Sequence, residues 1–365
     1  MRIVHVVNSS EESIVGVEKH VLYLAIAQKA RGSNVMMAID HPGVFSEACH
    51  QHNIPVLVAE GLDPGDAPLG RLSEKTVRDL IAQFKSFDAD VIHCHTLPSA
   101  AQAIPAANLS GTPCVITFNA AGPLIQAKKA GMRFITICVS KDRFEDMKKS
   151  DLPEGDIYYV PNGTRAAPRS GPQRAHQPDH PELMSVGSLI TRKGVENSIL
   201  AMTALRRRRG PDCPPLNIYG DGSLREYLQE MVNVLELNDI VRLRGSQPGI
   251  LEHCPSTDVL VVSSRWESGP LVVLEAMSRG MPIVTTDVGE VSEMLPDQRY
   301  GRVVPVNSIV PLADAIDSLL SDIANGVFDP EMLIERHRSR YTDEKMAERI
   351  DAVYEQALLR ESAAV

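Results

Sequence analysis

An α/β fold in two similar halves, each a doubly wound parallel sheet, is predicted by three features of this sequence. Short runs rich in β-branched apolar residues recur along the chain, continuous rather than alternating, as strands covered on both faces read. Segments with helical periodicity separate them, in the strand–helix order of a parallel sheet. Thr164 to Pro181, rich in Pro, Arg, Gly, Gln and His and without periodicity, divides the series and reads as an interdomain linker. A chain of 365 residues is long enough for two such cores.

In the first half, a strand at Ile3 to Val7 leads through a polar loop to a helix from about Gly16 to Arg31, closed by Gly32. Val35 to Ile39 follows as the next strand. There is no G-x-G-x-x-G after the first strand, so Gly16 alone is a weak phosphate signal. Strands continue at 56–58, 91–95, 114–118, 134–139 and 158–160, with helices near 73–87 and 141–149. The second half repeats the order. Its strands are expected at 183–186, 216–219, 240–243, 259–262 and 283–285, and its helices at 195–207, 224–235, 271–279 and 310–323. The tail, Asp343 to Leu359, is amphipathic and helical. Each half is expected to present its strand ends to a cleft between them.

Composition excludes several functions. A net charge of −10 argues against a general nucleic-acid binder. Arg206 to Arg209 ends a predicted helix, where cations complement the dipole, and reads as a solvated face. The six cysteines form no C-x-x-C, and Cys94, Cys114 and Cys138 lie in strand-like runs, as buried thiols of a reducing compartment would. The first residues read as a strand rather than a signal peptide, and no apolar run approaches the roughly 20 residues of a membrane span. The expectation is a soluble, cytoplasmic protein.

The chemistry concentrates in Val259 to Gly280. A strand there breaks at Ser263–Ser264, Glu267-Ser268-Gly269-Pro270 makes a turn, and a helix begins, with Pro270 suited to its first position. Gly280 stops it. The first N–H groups of such a helix suit an anion, most often a phosphate. Glu267 and Glu275 bracket the turn, eight positions apart. Elsewhere in this half, Gly187 follows a strand, Lys193-Gly194 opens a helix, and Gly220-Asp221-Gly222 follows another strand. Glycine backbone, a cation and carboxylates at three strand ends suit a nucleotide-sugar: carboxylates for hydroxyls, helix N–H groups and lysine for phosphate. In the first half, Gly16, His95, Asn119 and Ser140 stand at or past strand ends. His93 and His95 are expected on opposite sides of their strand, which argues against a metal pair. Asp88-Ala89-Asp90 imitates a metal-binding D-x-D but precedes its strand, and reads as structural. There is no G-x-S-x-G elbow and no P-loop.

These motifs together resemble the family-4 retaining glycosyltransferases of GT-B fold over nearly the whole chain. V-G-S-L-I-T-R-K-G (186–194), I-Y-G-D-G (218–222), E-S-G-P-L-V-V-L-E-A-M (267–277) and T-D-V-G-E (286–290) carry the likeness in the second half. G-V-E-K-H-V (16–21), D-V-I-H-C-H (90–95), V-S (139–140) and V-P-N-G (160–163) carry it in the first. The resemblance implies an acceptor-binding domain of residues 1–166, onto which a C-terminal helix (342–365) crosses back, a donor-binding domain of residues 182–341, and a linker at 167–181. Catalytic roles would fall to Glu267, Lys193, Asn119 and His95. Glu275 would hold the donor ribose, Glu267 would sit by the donor sugar, and Ser268, Gly269, Pro270, Leu271 and Val272 would cap the diphosphate. Lys193, Arg192, Gly187, Ser188 and Gly16 would border that diphosphate; Tyr219, Gly220, Asp221 and Arg244 would border the base. Three positions depart from the family: Ser188 stands where an arginine is usual, Asn119 where a histidine is, and Val15 where the first of two glycines is.

The activity implied is transfer of a sugar, with its anomeric configuration kept, from a UDP- or GDP-sugar to a hydroxyl acceptor. A glycan or lipid-linked acceptor of cell-surface polysaccharide or glycolipid synthesis is the usual context. No metal or other cofactor is implied, the nucleotide-sugar being a co-substrate. A UDP-N-acetylglucosamine 2-epimerase and a non-catalytic nucleotide-sugar-binding subunit are the alternatives. Lys128, Lys129, Lys141, Arg143, Lys148 and Lys149 read as a solvated face, with contact to anionic lipid at the inner face of the membrane as the lesser reading.

Overall fold

A computed structural model describes residues 1–10, 14, 16–63, 73–117, 121–167, 181–247, 249–253 and 258–363. The chain divides into two compact units, Met1–Gly163 with Asp343–Val365, and Thr164–Thr342. Each is a parallel sheet between helices. The linker at 167–181 falls almost wholly outside the described residues.

The first unit holds seven strands: β1 (Arg2–Val7), β2 (Asn34–Ile39), β3 (Val56–Val58), β4 (Val91–Cys94), β5 (Cys114–Thr117), β6 (Ile135–Cys138) and β7 (Ile157–Tyr159). Their spatial order is β3-β2-β1-β4-β5-β6-β7, all pairs parallel. Strand order reverses between β1 and β4. In open α/β sheets, ligands bind beyond the carboxyl ends of strands at such a reversal. The second unit holds β8 (Leu183–Val186), β9 (Leu216–Tyr219), β10 (Val241–Gly245), β11 (Val259–Val262), β12 (Ile283–Thr286) and β13 (Arg302–Val304). Their order is β10-β9-β8-β11-β12-β13, and the reversal lies between β8 and β11.

Burial explains why these runs are strands. β4 and β11 are buried at every residue, as continuous apolar runs inside a helix-covered sheet must be. The helix Asp343–Ala363 belongs to the first unit, where Met346, Ala347, Ile350, Val353, Tyr354 and Ala357 enter the core beside Ile3, Val21 and Val115. Their spacing of three and four residues is one face of a helix.

Several elements exceed the sequence reading. Helices Val44–Gln51, Leu97–Ser110, Ala121–Lys129 and Pro330–Arg340, and the short strand β13, had no expected counterpart. Pro105 lies inside Leu97–Ser110, and a proline in a helical pattern reads as a break. Pro270 is the residue capping the helix Leu271–Ser278 rather than its first helical residue, with ψ of 108°. Asp88 and Asp90 both pair with Arg2 at the amino end of β1, a structural role as expected. The arginine run pairs internally, Arg206 with Asp239, Arg208 with Asp314 and Arg209 with Asp317. Lys128 and Lys129 likewise pair with Asp156 and Asp151. Five cysteines are buried free thiols, and Cys254 lies outside the described residues. Among the described residues, no helix is long and apolar enough to cross a membrane.

Candidate functional site

In the second unit, the loops after β8, β9, β11 and β12 are locked backbone to backbone. The amide of Gly187 donates to the Tyr219 carbonyl (3.0 Å), that of Leu189 to Asp221 (2.8 Å), and that of Gly220 to Gly245 (2.9 Å). A Cβ on Gly220 would stand 1.9 Å from the Gly187 carbonyl oxygen, so only glycine permits this approach. The turn Thr191–Lys193 is clamped to the loop after β11 by three bonds. Arg265 N–H donates to the Arg192 carbonyl (2.8 Å), the Ser263 hydroxyl to Gly194 (2.8 Å), and the Arg265 guanidinium to Thr191 (2.6 Å). From the other side, the Glu290 amide donates to the Ser268 carbonyl (2.9 Å) and the Thr286 hydroxyl to Ser264 (2.6 Å). At Gly289 a Cβ would meet the Ser268 carbonyl oxygen at 2.1 Å. The turn is therefore held rigidly, which is what orientation of a ligand needs.

The frame brings Lys193 and Glu267 together at the β8–β11 reversal. The Glu267 carboxylate is buried and accepts from Lys193 Nζ (2.5 Å) and from the Ser264 hydroxyl (3.0 Å). Arg192 stands 3.9 Å from its other oxygen, with the guanidinium over the Trp266 ring, 5.5 Å from the centroid. Two cations face one carboxylate, so these three side chains sum to a net charge of +1. That surplus stands beside the start of Leu271–Ser278, whose first N–H groups lack intrahelical acceptors. An anion is the ligand this field accommodates.

The remaining predicted residues divide by position. Ser268, Gly269, Pro270, Leu271 and Val272 form the turn and helix start, and Glu275, half-buried, lies one turn further on. Tyr219, Gly220 and Asp221 line the carboxyl end of β9; Asp221 is exposed and stands 3.6 Å from Arg225. Ser188 is exposed. The Arg244 side chain is exposed, and its guanidinium donates through Nε to Asn217 (2.8 Å). Ser264 and Arg265 are site residues that sequence reasoning missed. Their only signal was the break of the strand at Ser263–Ser264.

In the first unit, Gly16 begins the helix Gly16–Ala30 with its backbone exposed. His95 is buried just past β4. Asn119 lies outside the described residues. The expectation for His93 and His95 was wrong: residues two apart share a strand face, and the two rings stack with centroids 4.0 Å apart. With His5 they bring ring nitrogens within 4.8 Å of one another, a spacing a metal ion could bridge. Five of those six nitrogens are already engaged. His5 bonds His95 (2.9 Å) and Gln28 (2.8 Å), and His93 bonds Tyr354 (2.6 Å) and Thr117 (2.8 Å). Burial pushes His5 and neighbouring His20 down to about 4, and His93 and His95 well below the usual range, so the rings are neutral at pH 7.

Comparison with known proteins bears on both units. Residues 14–167 match the family model described as Glycosyltransferase Family 4, and residues 169–340 match that described as Glycosyl transferases group 1. The alpha-D-kanosaminyltransferase of Streptomyces kanamyceticus is 36% identical over 148 residues, 40% of this chain and 37% of that protein. A glycogen synthase of Mycobacterium tuberculosis is 26% identical over 358 residues, 85% of this chain and 84% of that protein. The fold is that of Anabaena Alr3699/HepE in complex with UDP, with a TM-score of 0.79 at 17% identity over 98% of this chain and 100% of that one. A glycosyltransferase from Rickettsia africae gives a TM-score of 0.78 at 15% identity, covering 98% of each chain.

Proposed function

The chain belongs to the glycosyltransferases that join a Family 4 first half to a group 1 second half, and from that premise we propose a retaining transferase using a nucleotide-sugar donor. The observation that carries the reading is the Lys193–Glu267 pair, fixed by the loop clamp at the reversal of the second sheet. The donor diphosphate takes the surplus positive charge of Lys193 and Arg192 and the N–H groups at the start of Leu271–Ser278. Arg192, held over Trp266, supplies the second cation that Ser188 cannot. Glu275 accepts from the ribose hydroxyls, and Glu267 from a hydroxyl of the sugar. Tyr219 to Asp221 and the backbone at Arg244 border the base. UDP and UDP-glucose are named in complexes of a protein of the same fold, which makes UDP-sugars the first donors to test.

In the reaction, the bond from the anomeric carbon to the diphosphate oxygen breaks while a bond to the acceptor oxygen forms on the same face. The departing phosphate oxygen takes the acceptor proton. Neither a protein nucleophile nor a metal is required. The protein contributes positioning and stabilisation of charge on the leaving group, through Lys193, Arg192 and the helix start. The acceptor is a glycan or lipid-linked hydroxyl of cell-surface polysaccharide or glycolipid synthesis, met on the cytoplasmic side of the membrane.

Lys193→Ala and Glu275→Ala test this by transfer assay with each donor. Each loses on the order of 100-fold or more in kcat/KM if the roles are right, and the product keeps the donor's anomeric configuration by NMR. Near-normal rates in both variants, or an inverted product, overturn the reading.

A further inference from the structure

The buried histidines of the first unit have a hydrogen-bond polarity that can be traced from one end. Asp351, on the C-terminal helix, accepts from Arg31 Nε (2.9 Å) and from Gln28 Nε2 (3.0 Å). A carboxylate paired with arginine only accepts, so the Gln28 amide must turn its NH2 toward Asp351 and its oxygen toward His5. That oxygen lies 2.8 Å from His5 Nε2 and only accepts, so His5 Nε2 carries the hydrogen. His5 is neutral, so its Nδ1 is a bare lone pair. The partner of Nδ1 is His95 Nε2 at 2.9 Å, which must therefore be N–H. His95, also neutral, is left with Nδ1 as a lone pair. This atom is buried and has no hydrogen-bond partner.

A buried acceptor without a donor is costly, and in a native protein it calls for an explanation. Its position supplies one. His95 is the first residue past β4, at the β1–β4 reversal, where a ligand is expected. A second buried group at this edge of the sheet, the Ser140 hydroxyl past β6, also lacks a partner and does not cap the helix it precedes. We propose that Asp351, Gln28 and His5 are positioning residues that fix His95 as its Nε2-protonated tautomer, presenting Nδ1 as an acceptor for a substrate hydroxyl. The role in transfer rests on the function proposed above; the tautomer does not.

The test is long-range 1H–15N NMR of the full chain labelled at histidine, with His5 and His95 signals assigned by His5→Asn and His95→Asn. Both rings are expected Nε2-protonated at pH 7.5 without substrate. Gln28→Leu removes the acceptor and should populate the other tautomer in both rings. Asp351→Leu, which removes the acceptor that orients the Gln28 amide, serves if Gln28→Leu fails to fold. In the transfer assay, Gln28→Leu should lower kcat on the order of tenfold or more with donor KM unchanged. An Nδ1-protonated His95 in the wild type, or tautomers unmoved in the folded variants, overturns the proposal even where transfer is observed. The expected tautomers in a protein that transfers no sugar would overturn the function instead and leave the relay standing.

Discussion

Two glycines separate structural from ligand-directed roles at the residue scale. Gly220 has φ of +148° and no room for a Cβ beside the Gly187 carbonyl. Gly220→Ala should destabilise the second unit by about 1–3 kcal/mol, a loss of a few degrees in melting temperature, and weaken donor binding with it. Gly16 has no atom within 4 Å of a built Cβ and no positive φ. Gly16→Ala should leave the melting temperature within about 0.5 kcal/mol of wild type while lowering transfer, if its backbone approaches the donor. Equal effects of the two substitutions on stability would refute the distinction. What the sequence showed of the site follows from local chemistry. Glu267 and Lys193 were legible because each stands at a strand end in a glycine-bearing turn. Arg265 was not, because its guanidinium bond spans 74 residues of chain to Thr191, and Ser264 was not, because its partners Glu267 and Thr286 meet it only in the folded turn. The histidine stack was misread through the strand period itself, since residues two apart lie on one face.

At the scale of elements, buried strands were the most legible features. The run at β11 is wholly apolar and those at β8 and β9 carry one buried polar residue each, Ser185 and Asn217; all three are bounded by turn residues and too short for helices. Helices without a clean apolar stripe were the least legible. Leu97–Ser110 is rich in alanine and carries Pro105, and Pro330–Arg340 announces itself only through its Asp329 cap, which accepts from the Glu331 amide (3.0 Å). The C-terminal helix has measurable consequences in the first unit. Tyr354 is fully buried there, with its hydroxyl 2.6 Å from His93 Nδ1. Tyr354→Ala should cost about 3–5 kcal/mol in denaturant unfolding, and Tyr354→Phe should cost less, near the ~1–3 kcal/mol of an unmatched buried polar group. A Tyr354→Ala protein as stable as wild type would exclude this helix from the core.

For the whole molecule, the two units carry different titrating groups. His5 and His20, in the first unit, have folded pKa values near 4 against an ordinary 6.5, because burial disfavours the charged ring. The unfolded chain therefore binds these protons more readily. Stability is complete above about pH 6.5 and falls as pH drops toward 4, by of the order of 3 kcal/mol for each ring. Denaturant unfolding between pH 7.5 and 4.5, followed by far-UV circular dichroism, should show this loss; a pH-independent transition would contradict it. Trp266, the single tryptophan, lies in the second unit, so its fluorescence reports that unit separately. That residue sits beside Glu267, which makes ligand binding at the turn directly readable.

The most direct measurement is thermal unfolding, followed at Trp266, with UDP-, GDP- and ADP-sugars in turn. A donor present at 100 times its dissociation constant stabilises the form that binds it by about 2.7 kcal/mol, a shift of several degrees. One nucleotide class should produce that shift in the wild type and in neither Lys193→Ala nor Glu275→Ala. No shift with any nucleotide-sugar, or the same shift in both variants, would contradict a nucleotide-sugar site at the 267–275 turn.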